Sequence, residues 1–392
     1  MSAVFVAGAV RTPIGRFGGG LAPLSAADLG AATATEALRR AGVEPAAVDE
    51  AIFGCARQAG GGPNVGRQVS VRAGVPQEVP AYTVNMACGS SLKALDLGFR
   101  QIRDGDARVV LAGGAESMSR VPYLLPEARW GYRMGEQPLV DAMYQDGFDC
   151  PLAGMRMGET AERLADRYAI SRGEQDGFAL ASQQKAARAL SQERFGHETF
   201  SVSVPGRKGP VQVARDEHPR ADSTLEGLAK LKPAFRPGGS VTPGNSSGIT
   251  DGAAAFVLLD ERRARELGVK PLARVLGVAS AGVDPREMGL GVVPAVRTLL
   301  ARLGRALSDF ELLEVNEAFA AQVLACDREL GFDHDRLNVN GGAIALGHPI
   351  GATGARIVVT LLHEMRRRGA RLGLASLCVS GGMGLAAAFE LA

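Results

Sequence analysis

Four short stretches of this sequence occur twice, in the same order. "LRRAG" at 38–42 returns as "LARLG" at 300–304, and each closes an amphipathic helix. A short polar link and a strand follow in both places, "VDEAIFG" (48–54) and "FELLEVN" (310–316). "VNMACGSSLKALDLGFRQI" (84–102) reads as a strand-to-helix unit, and its counterpart is "NVNGGAIALGHPIGATGARIVVTLL" (338–362). Finally "GAAAFVLL" (252–259) matches "GLAAAFEL" (384–391). Recurrence in fixed order predicts two copies of one βαβ-rich unit, an α/β chain built by duplication.

The copies differ in one place. In the second, "LASLCVSGGMGLAAAFEL" passes from strand through a glycine turn straight into strand; in the first, "VVLAGGAESMS" (109–119) and "GAAAFVLL" lie far apart. This predicts a first half over 1–266 carrying an inserted loop domain at 121–250, and a second half over 267–392. The insertion holds the lone Trp130, a helical stretch near 158–190 and Pro/Gly-punctuated loops such as "KPAFRPGGSVTPGNSSG". Long loops in compact domains tend to be functional, so the insertion is expected to cover the active site and hold the non-reacting part of a substrate.

Chemistry collects where repeated strands end. Cys88 falls between the strand pattern of Tyr82, Val84 and Met86 and the helical spacing of Leu92, Leu95, Phe99 and Ile102, which Asp104-Gly105 closes. A thiol at a helix start is expected to have a lowered pKa. His348 occupies nearly the same offset in the second copy, so symmetric packing would bring a thiol and an imidazole together, the minimum for an activated nucleophile. Cys378 in "SLCVSGGMG" and Asn316 in "EVNEAFA" end other second-copy strands at the same edge. His197, His218, His334 and His363 read as surface residues. Glu116, Glu159 and Glu317 read as caps and turn residues. "GHPIGATG" lacks the phosphate-loop ending, so its glycines read as sites of close helix packing.

The net charge of +2 gives no reason to expect nucleic acid or a membrane surface as partner, and no apolar run approaches a membrane span. The N-terminus reads as a first strand and turn, without a signal peptide. Five scattered cysteines without C-x-x-C argue against a disulfide framework or a zinc site and for a reducing cytoplasm.

"NMACGSS", "NEAFAAQ", "NVNGGAIALGHPIGATGAR" and "SLCVSGGMG" resemble the signature blocks of thiolases, along essentially the whole chain. The resemblance implies a five-layered αβαβα fold of two related halves and a homotetramer built as a dimer of dimers. It implies acetyl-CoA C-acetyltransferase activity, condensing two acetyl-CoA to acetoacetyl-CoA and CoA, and the reverse thiolysis, in fatty acid metabolism. Coenzyme A is then substrate and product, with no resident cofactor and no metal. Carried over by motif, Cys88 would hold the acyl group, His348 would activate it, Asn316 would support the site through a water, and Cys378 would move the α-proton. The N–H groups of Cys88 and Ser380 are candidates for an oxyanion hole. Arg220 would lie near the adenine and phosphates of CoA, Ser247 would bond the pantetheine, Phe235 and Phe319 would line its tunnel, and Met157 and Met288 would wall the acyl pocket.

Three positions depart from the family pattern: Ser91 after C-x-S, Ser380 for a frequent glycine, and Arg156 where biosynthetic members usually carry histidine. Arg156 keeps a degradative 3-ketoacyl-CoA thiolase of broader chain length open. A decarboxylating β-ketoacyl synthase would show His or Asn in place of Cys378. A non-catalytic acyl-CoA-binding protein would have lost the nucleophile or the base.

Overall fold

In the computed structural model, which describes residues 3–392, nine strands follow one another across a continuous sheet, with the short Gly15–Arg16 strand paired to Thr250–Asp260 as a tenth. The order is Leu312–Val315, Leu372–Val379, Met383–Leu391, Ala273–Gly282, Val4–Arg11, Thr250–Asp260, Val109–Ser117, Glu50–Gly54 and Ala81–Val84. The two halves meet where Val4, Phe5 and Val6 pair antiparallel with Val275, Arg274 and Ala273. Outward from this seam each half repeats the same arrangement: first strand, last strand, then the two strands that flank the crossovers. Even the edge strand Ala81–Val84, parallel to Glu50–Gly54, has a vestige in the parallel bridge between Leu313 and Leu337.

The alternation of side chains across these strands builds the layers. Val110, Ala112, Phe256 and Leu258 of the first half, and Leu377, Val379, Leu385 and Phe389 of the second, face one core that encloses the helices Ser90–Asp104 and Thr353–Arg368. The intervening residues Val109, Leu111, Ala255 and Val257 face outward onto the helix Ala26–Ala41. Leu374, Ala386 and Ala388 likewise face the helix Val292–Leu303. Helix, sheet, helix, sheet, helix is the five-layered fold expected.

Local signals end the elements where the repeat requires. Ser25 and Asp28 form a capping box before Ala26–Ala41, and Gly42 and Gly304 take left-handed C-cap conformations after "LRRA" and "LARL". The central helices touch at Gly354, where a Cβ would lie 2.4 Å from the Leu92 nitrogen, and in the turn before the second helix a Cβ on Gly351 would lie 2.8 Å from the Cys55 Cα in the loop after Glu50–Gly54. These glycines are therefore packing residues, as "GHPIGATG" suggested. Ser91 also has a cross-half role, since its Oγ accepts the Ala355 N–H at 2.8 Å.

The segment without a counterpart leaves the sheet after Ser117 and rejoins it at Thr250, beside the strand it left. It contains the helices Met157–Arg167 and Arg172–Ser191, the short helix Leu225–Ala229 and several two- or three-residue strands. No helix among the described residues is long and apolar enough to cross a membrane.

Candidate active site

Cys88 stands two residues ahead of the helix Ser90–Asp104, at the crest of a tight turn. Ala87 carries φ of 44°, an uncommon left-handed conformation for a residue with a Cβ. The turn is held by the Ala87 N–H on Asn85 Oδ1 (3.0 Å), the Met86 N–H on Ser90 Oγ (2.9 Å) and Ser90 Oγ–H on the Ala87 carbonyl (2.6 Å). Strain at one backbone position is thus fixed by three hydrogen bonds. The backbone N–H groups of Ser380 and of Cys88 itself are directed at the sulfur.

The thiol pKa nevertheless shifts opposite to the sequence expectation. Burial pushes Cys88 above the usual thiol range, outweighing the nearby Arg57 guanidinium and the two N–H groups. Taking a thiolate out of water costs more here than partial positive charges return. Cys378, fully buried at the end of Leu372–Val379, is pushed further up by burial and then by its neighbour Cys88. All five cysteines are free thiols.

His348 lies on the facing half. Burial, then Arg356 and Arg57, lower its pKa to about 3, so the ring is neutral. Thr353 Oγ1 donates to the Pro349 carbonyl (3.0 Å) and sits 2.6 Å from His348 Nδ1. A hydroxyl whose proton is so committed can only accept, which places the imidazole proton on Nδ1 and leaves Nε2 a bare base. Asn316 Nδ2 approaches Nε2 at 3.5 Å, while Asn316 Oδ1 is buried with no partner among the described residues. That oxygen remains an acceptor for a water or a substrate.

Two connected cavities bring the sequence candidates together. A small inner one of about 60 Å³ is bounded by Cys88, His348, Cys378 and Ser380, with Met157, Met288, Phe319, Ser247, Phe148 and Ile350 among its walls. Met157, Phe148, Ser247 and Phe319 also line an outer cleft of about 570 Å³, which reaches Phe235 and Arg220. Phe235 and Phe319 meet edge to face, centroids 6.0 Å apart. The "GNSSG" loop joins the halves there: the Ser247 N–H donates to the Ala318 carbonyl (3.0 Å) and the His348 N–H to the Gly248 carbonyl (3.1 Å).

Sequence reasoning missed several parts. Arg57 lines the inner cavity, and Gly147 leaves it room, since a Cβ there would lie 2.2 Å from the guanidinium. Glu116 is no turn residue. Fully buried, it accepts the N–H groups of Ala56 (3.1 Å), Arg57 (3.0 Å) and Gly351 (2.7 Å), stitching a first-half loop to the turn that follows His348. Glu317 is likewise internal, bonded to Ser182, Asn338 and the Ile344 N–H, whereas Glu159 does cap its helix. His218 lines the outer cleft with Nδ1 on the Ala345 carbonyl, and His363 is half-buried on the Ala9 carbonyl. Both depart from the surface reading. Arg156 is exposed at the outer cleft, near Asp149 and over the Tyr144 ring, and does not line the inner cavity.

The chain matches two family models, the thiolase N-terminal domain over residues 4–262 and the thiolase C-terminal domain over 269–391. It is 51% identical over 391 residues to an acetyl-CoA acetyltransferase of Syntrophomonas wolfei subsp. wolfei, covering 99% of this chain and 98% of that protein. It is 53% identical over 387 residues to an acetyl-CoA acetyltransferase of Pseudomonas aeruginosa, covering 98% of each. The solved Bacillus anthracis acetyl-CoA acetyltransferase superposes with a TM-score of 0.98 at 46% identity, covering 100% of this chain and 99% of that one. Human mitochondrial 3-ketoacyl-CoA thiolase superposes at 0.97 with 41% identity and the same coverage.

Proposed function

Because this chain belongs to the thiolase family of acyltransferases, with both family domains matched along its length, we propose that it is an acetyl-CoA C-acetyltransferase. One observation carries the reading: a partly buried thiol, a fully buried thiol and a neutral imidazole border one small cavity that shares its walls with the outer cleft. Acyl transfer and carbanion formation need separate groups, one to attack and one to move a proton.

In the first half-reaction His348 Nε2 takes the Cys88 proton and the sulfur attacks the acetyl-CoA carbonyl. The N–H groups of Cys88 and Ser380 stabilise charge developing on oxygen. CoA departs with the proton, and the acetyl group stays on Cys88 as a thioester. A second acetyl-CoA then gives its α-proton to Cys378 as the thiolate, and the carbanion attacks acetyl-Cys88. Cys88 leaves as a thiolate and takes that proton over from Cys378, which restores the starting enzyme as acetoacetyl-CoA is completed; thiolysis is the reverse. Asn316 Oδ1 accepts from a water, whose other O–H donates to the second carbonyl. Thioester activation is intrinsic to the substrate, so the reaction as proposed calls for no resident cofactor or metal. Arg220 at the mouth suits phosphates, and Ser247, Phe235 and Phe319 suit a narrow pantetheine arm.

The alternative is a degradative 3-ketoacyl-CoA thiolase of broader chain length. Cavity size favours the shorter substrate: about 60 Å³ walled by Met157, Met288 and Phe148 leaves room for few heavy atoms. Kinetics over a ladder of 3-ketoacyl-CoA lengths decides. Acetoacetyl-CoA should be cleaved at least as efficiently as six-carbon and longer substrates, and a clear preference for long chains would sink the assignment.

The same reading makes the protein a cytoplasmic homotetramer of fatty acid metabolism. Support for assembly comes from Leu125, Trp130, Met134 and Leu139, large apolar side chains exposed together on the loop between the paired strands Tyr123–Leu124 and Val140–Asp141. Trimming that loop should convert tetramers to dimers in sedimentation, and native monomers would contradict the model of assembly.

A further inference from the structure

A second cleft, of about 620 Å³, opens at the opposite end of the central helix Thr353–Arg368 from His348. Thirteen residues separate Thr353 from Arg366, roughly 20 Å at the rise of an α-helix. The chain as a whole is nearly neutral, yet this cleft is lined by Arg39, Arg40, Arg194, Lys270, Arg366 and Arg367 and by no carboxylate. Arg39 and Arg40 share Glu36, and Arg367 shares Glu364 with Arg368. Among the described residues Arg194, Lys270 and Arg366 form no ion pair. Arg194 is held by neutral partners, Asn340 Oδ1 at 2.8 Å and Gln192 Oε1 at 2.9 Å.

Basic residues in the last turn of a helix ordinarily complement its dipole, which accounts for Arg366–Arg368. It does not account for Arg194, which follows another helix, or for Lys270, which precedes the Ala273–Gly282 strand. The floor is shaped as well. The pairing of Val4–Arg11 with Thr250–Asp260 slips between Ala7 and Val10, a bulge at which Gly8 adopts φ of 59°. Bulges of this kind re-aim the chain beside functional sites. Ala9, Leu272 and Gly196 leave small, apolar wall between the cations. Crowding of like charge is felt at Arg194, whose proton affinity is lowered by burial and then by Arg367 and Arg368.

We propose that this cleft binds an adenine nucleotide, its phosphates on Arg194, Lys270 and Arg366 and its ring on the apolar wall. The volume falls in the range of roughly 300–1,000 Å³ usual for small-molecule sites. The chemistry is that of an ADP group, available from free nucleotide or from the 3′-phosphorylated ADP portion of CoA. The site is separate from the acyl-CoA cleft and does not rest on the catalytic reading.

Isothermal titration of the full chain with ADP tests it. Saturable binding is expected, and the component that survives Arg220→Ala should be weakened at least about tenfold when Arg194→Ala/Lys270→Ala/Arg366→Ala is added, as befits lost charge-assisted contacts. The triple variant should retain thiolysis, showing that it is folded; Lys270→Glu, a change at one exposed position, should weaken ADP binding by itself. Titration with CoA identifies the source. Stoichiometry of two per chain falling to one in the triple variant assigns the cleft to CoA, and one per chain in both assigns it to free nucleotide. Absence of saturable ADP binding, or ADP binding lost in Arg220→Ala and kept in the triple variant, would overturn the proposal.

Discussion

Thr353→Val removes one hydroxyl and little volume. In the native site Thr353 Oγ1 accepts from His348 Nδ1 at 2.6 Å because its own proton is committed to the Pro349 carbonyl. His348 is neutral far below physiological pH, so its competence depends on which nitrogen carries the proton. Losing the acceptor leaves a buried N–H unsatisfied, at about 1–3 kcal/mol. At about 1.4 kcal/mol per tenfold, a loss near 2 kcal/mol shifts the tautomer ratio about 30-fold toward the form whose Nε2 cannot accept a proton. Acylation of Cys88 by acetyl-CoA should therefore slow about 10- to 100-fold, with a modest fall in thermal stability. Thr353→Ser, which restores the hydroxyl, should recover most of the rate. Rapid mixing with acetyl-CoA, acid quench and mass spectrometry of the Cys88 peptide reads the step directly. A folded Thr353→Val variant that acylates at the native rate would refute the argument, because the tautomer would then be set by something other than this hydroxyl.

Cys88→Ala should abolish both acyl-enzyme formation and turnover, whereas Cys378→Ala should form acyl-enzyme slowly and lose α-proton exchange; acetyl found on Cys378 with Cys88 free would reverse the roles. Alkylation of Cys88 by iodoacetamide should accelerate from about pH 5.5 to 9 without a break near 6.5, since burial raises the thiol and His348 does not titrate there. His348 is protonated near pH 6.5 when unfolded and only at about 3 when folded, so its contribution to stability is present above pH 6.5 and is lost as pH falls toward 3; urea midpoints at pH 7 and 5 measure it. Glu116→Gln should destabilise the fold by about 2–3 kcal/mol, because an amide must turn N–H toward at least one backbone donor; an unchanged denaturation midpoint would show that the carboxylate is not needed.

What could be read in the sequence was what neighbouring residues specify. The helix ends at Gly42, Gly105 and Gly304 follow from left-handed caps, and the equivalence of Cys88 and His348 follows from repeat order. Contacts made only by convergence could not be read. Arg57 gives no local sign that it faces Cys88, and the proton position on His348 depends on a threonine whose own donor is spent on a carbonyl. The expected lowering of the Cys88 pKa failed for the same reason. A helix start is visible in sequence, but the desolvation that outweighs it comes from elements hundreds of residues away. His218 and His363 looked superficial because charged residues stand beside them, and their partners, the Ala345 and Ala9 carbonyls, belong to the other half of the molecule, as does the Gly351 N–H that Glu116 accepts.

The seam between the halves has a consequence for how the protein acquires its activity. Cys88 and Glu116 belong to one copy, His348, Gly351 and Cys378 to the other, and the bonds that join them span more than two hundred residues, as in Ser91 to Ala355 and Glu116 to Gly351. The second copy can assemble its strands and helices from nearer contacts, whereas the first closes only when Thr250–Asp260 pairs with Val4–Arg11 across the insertion. The reaction centre exists only after the two have docked, a slow and late event for pairings so distant along the chain. On a ribosome the nucleophile is made long before its base, and the thiol waits without a partner until His348 and Cys378 have followed it. A nascent or fragmentary chain is thereby kept from consuming acetyl-CoA, and regain of activity on refolding becomes a clock for docking rather than for secondary structure.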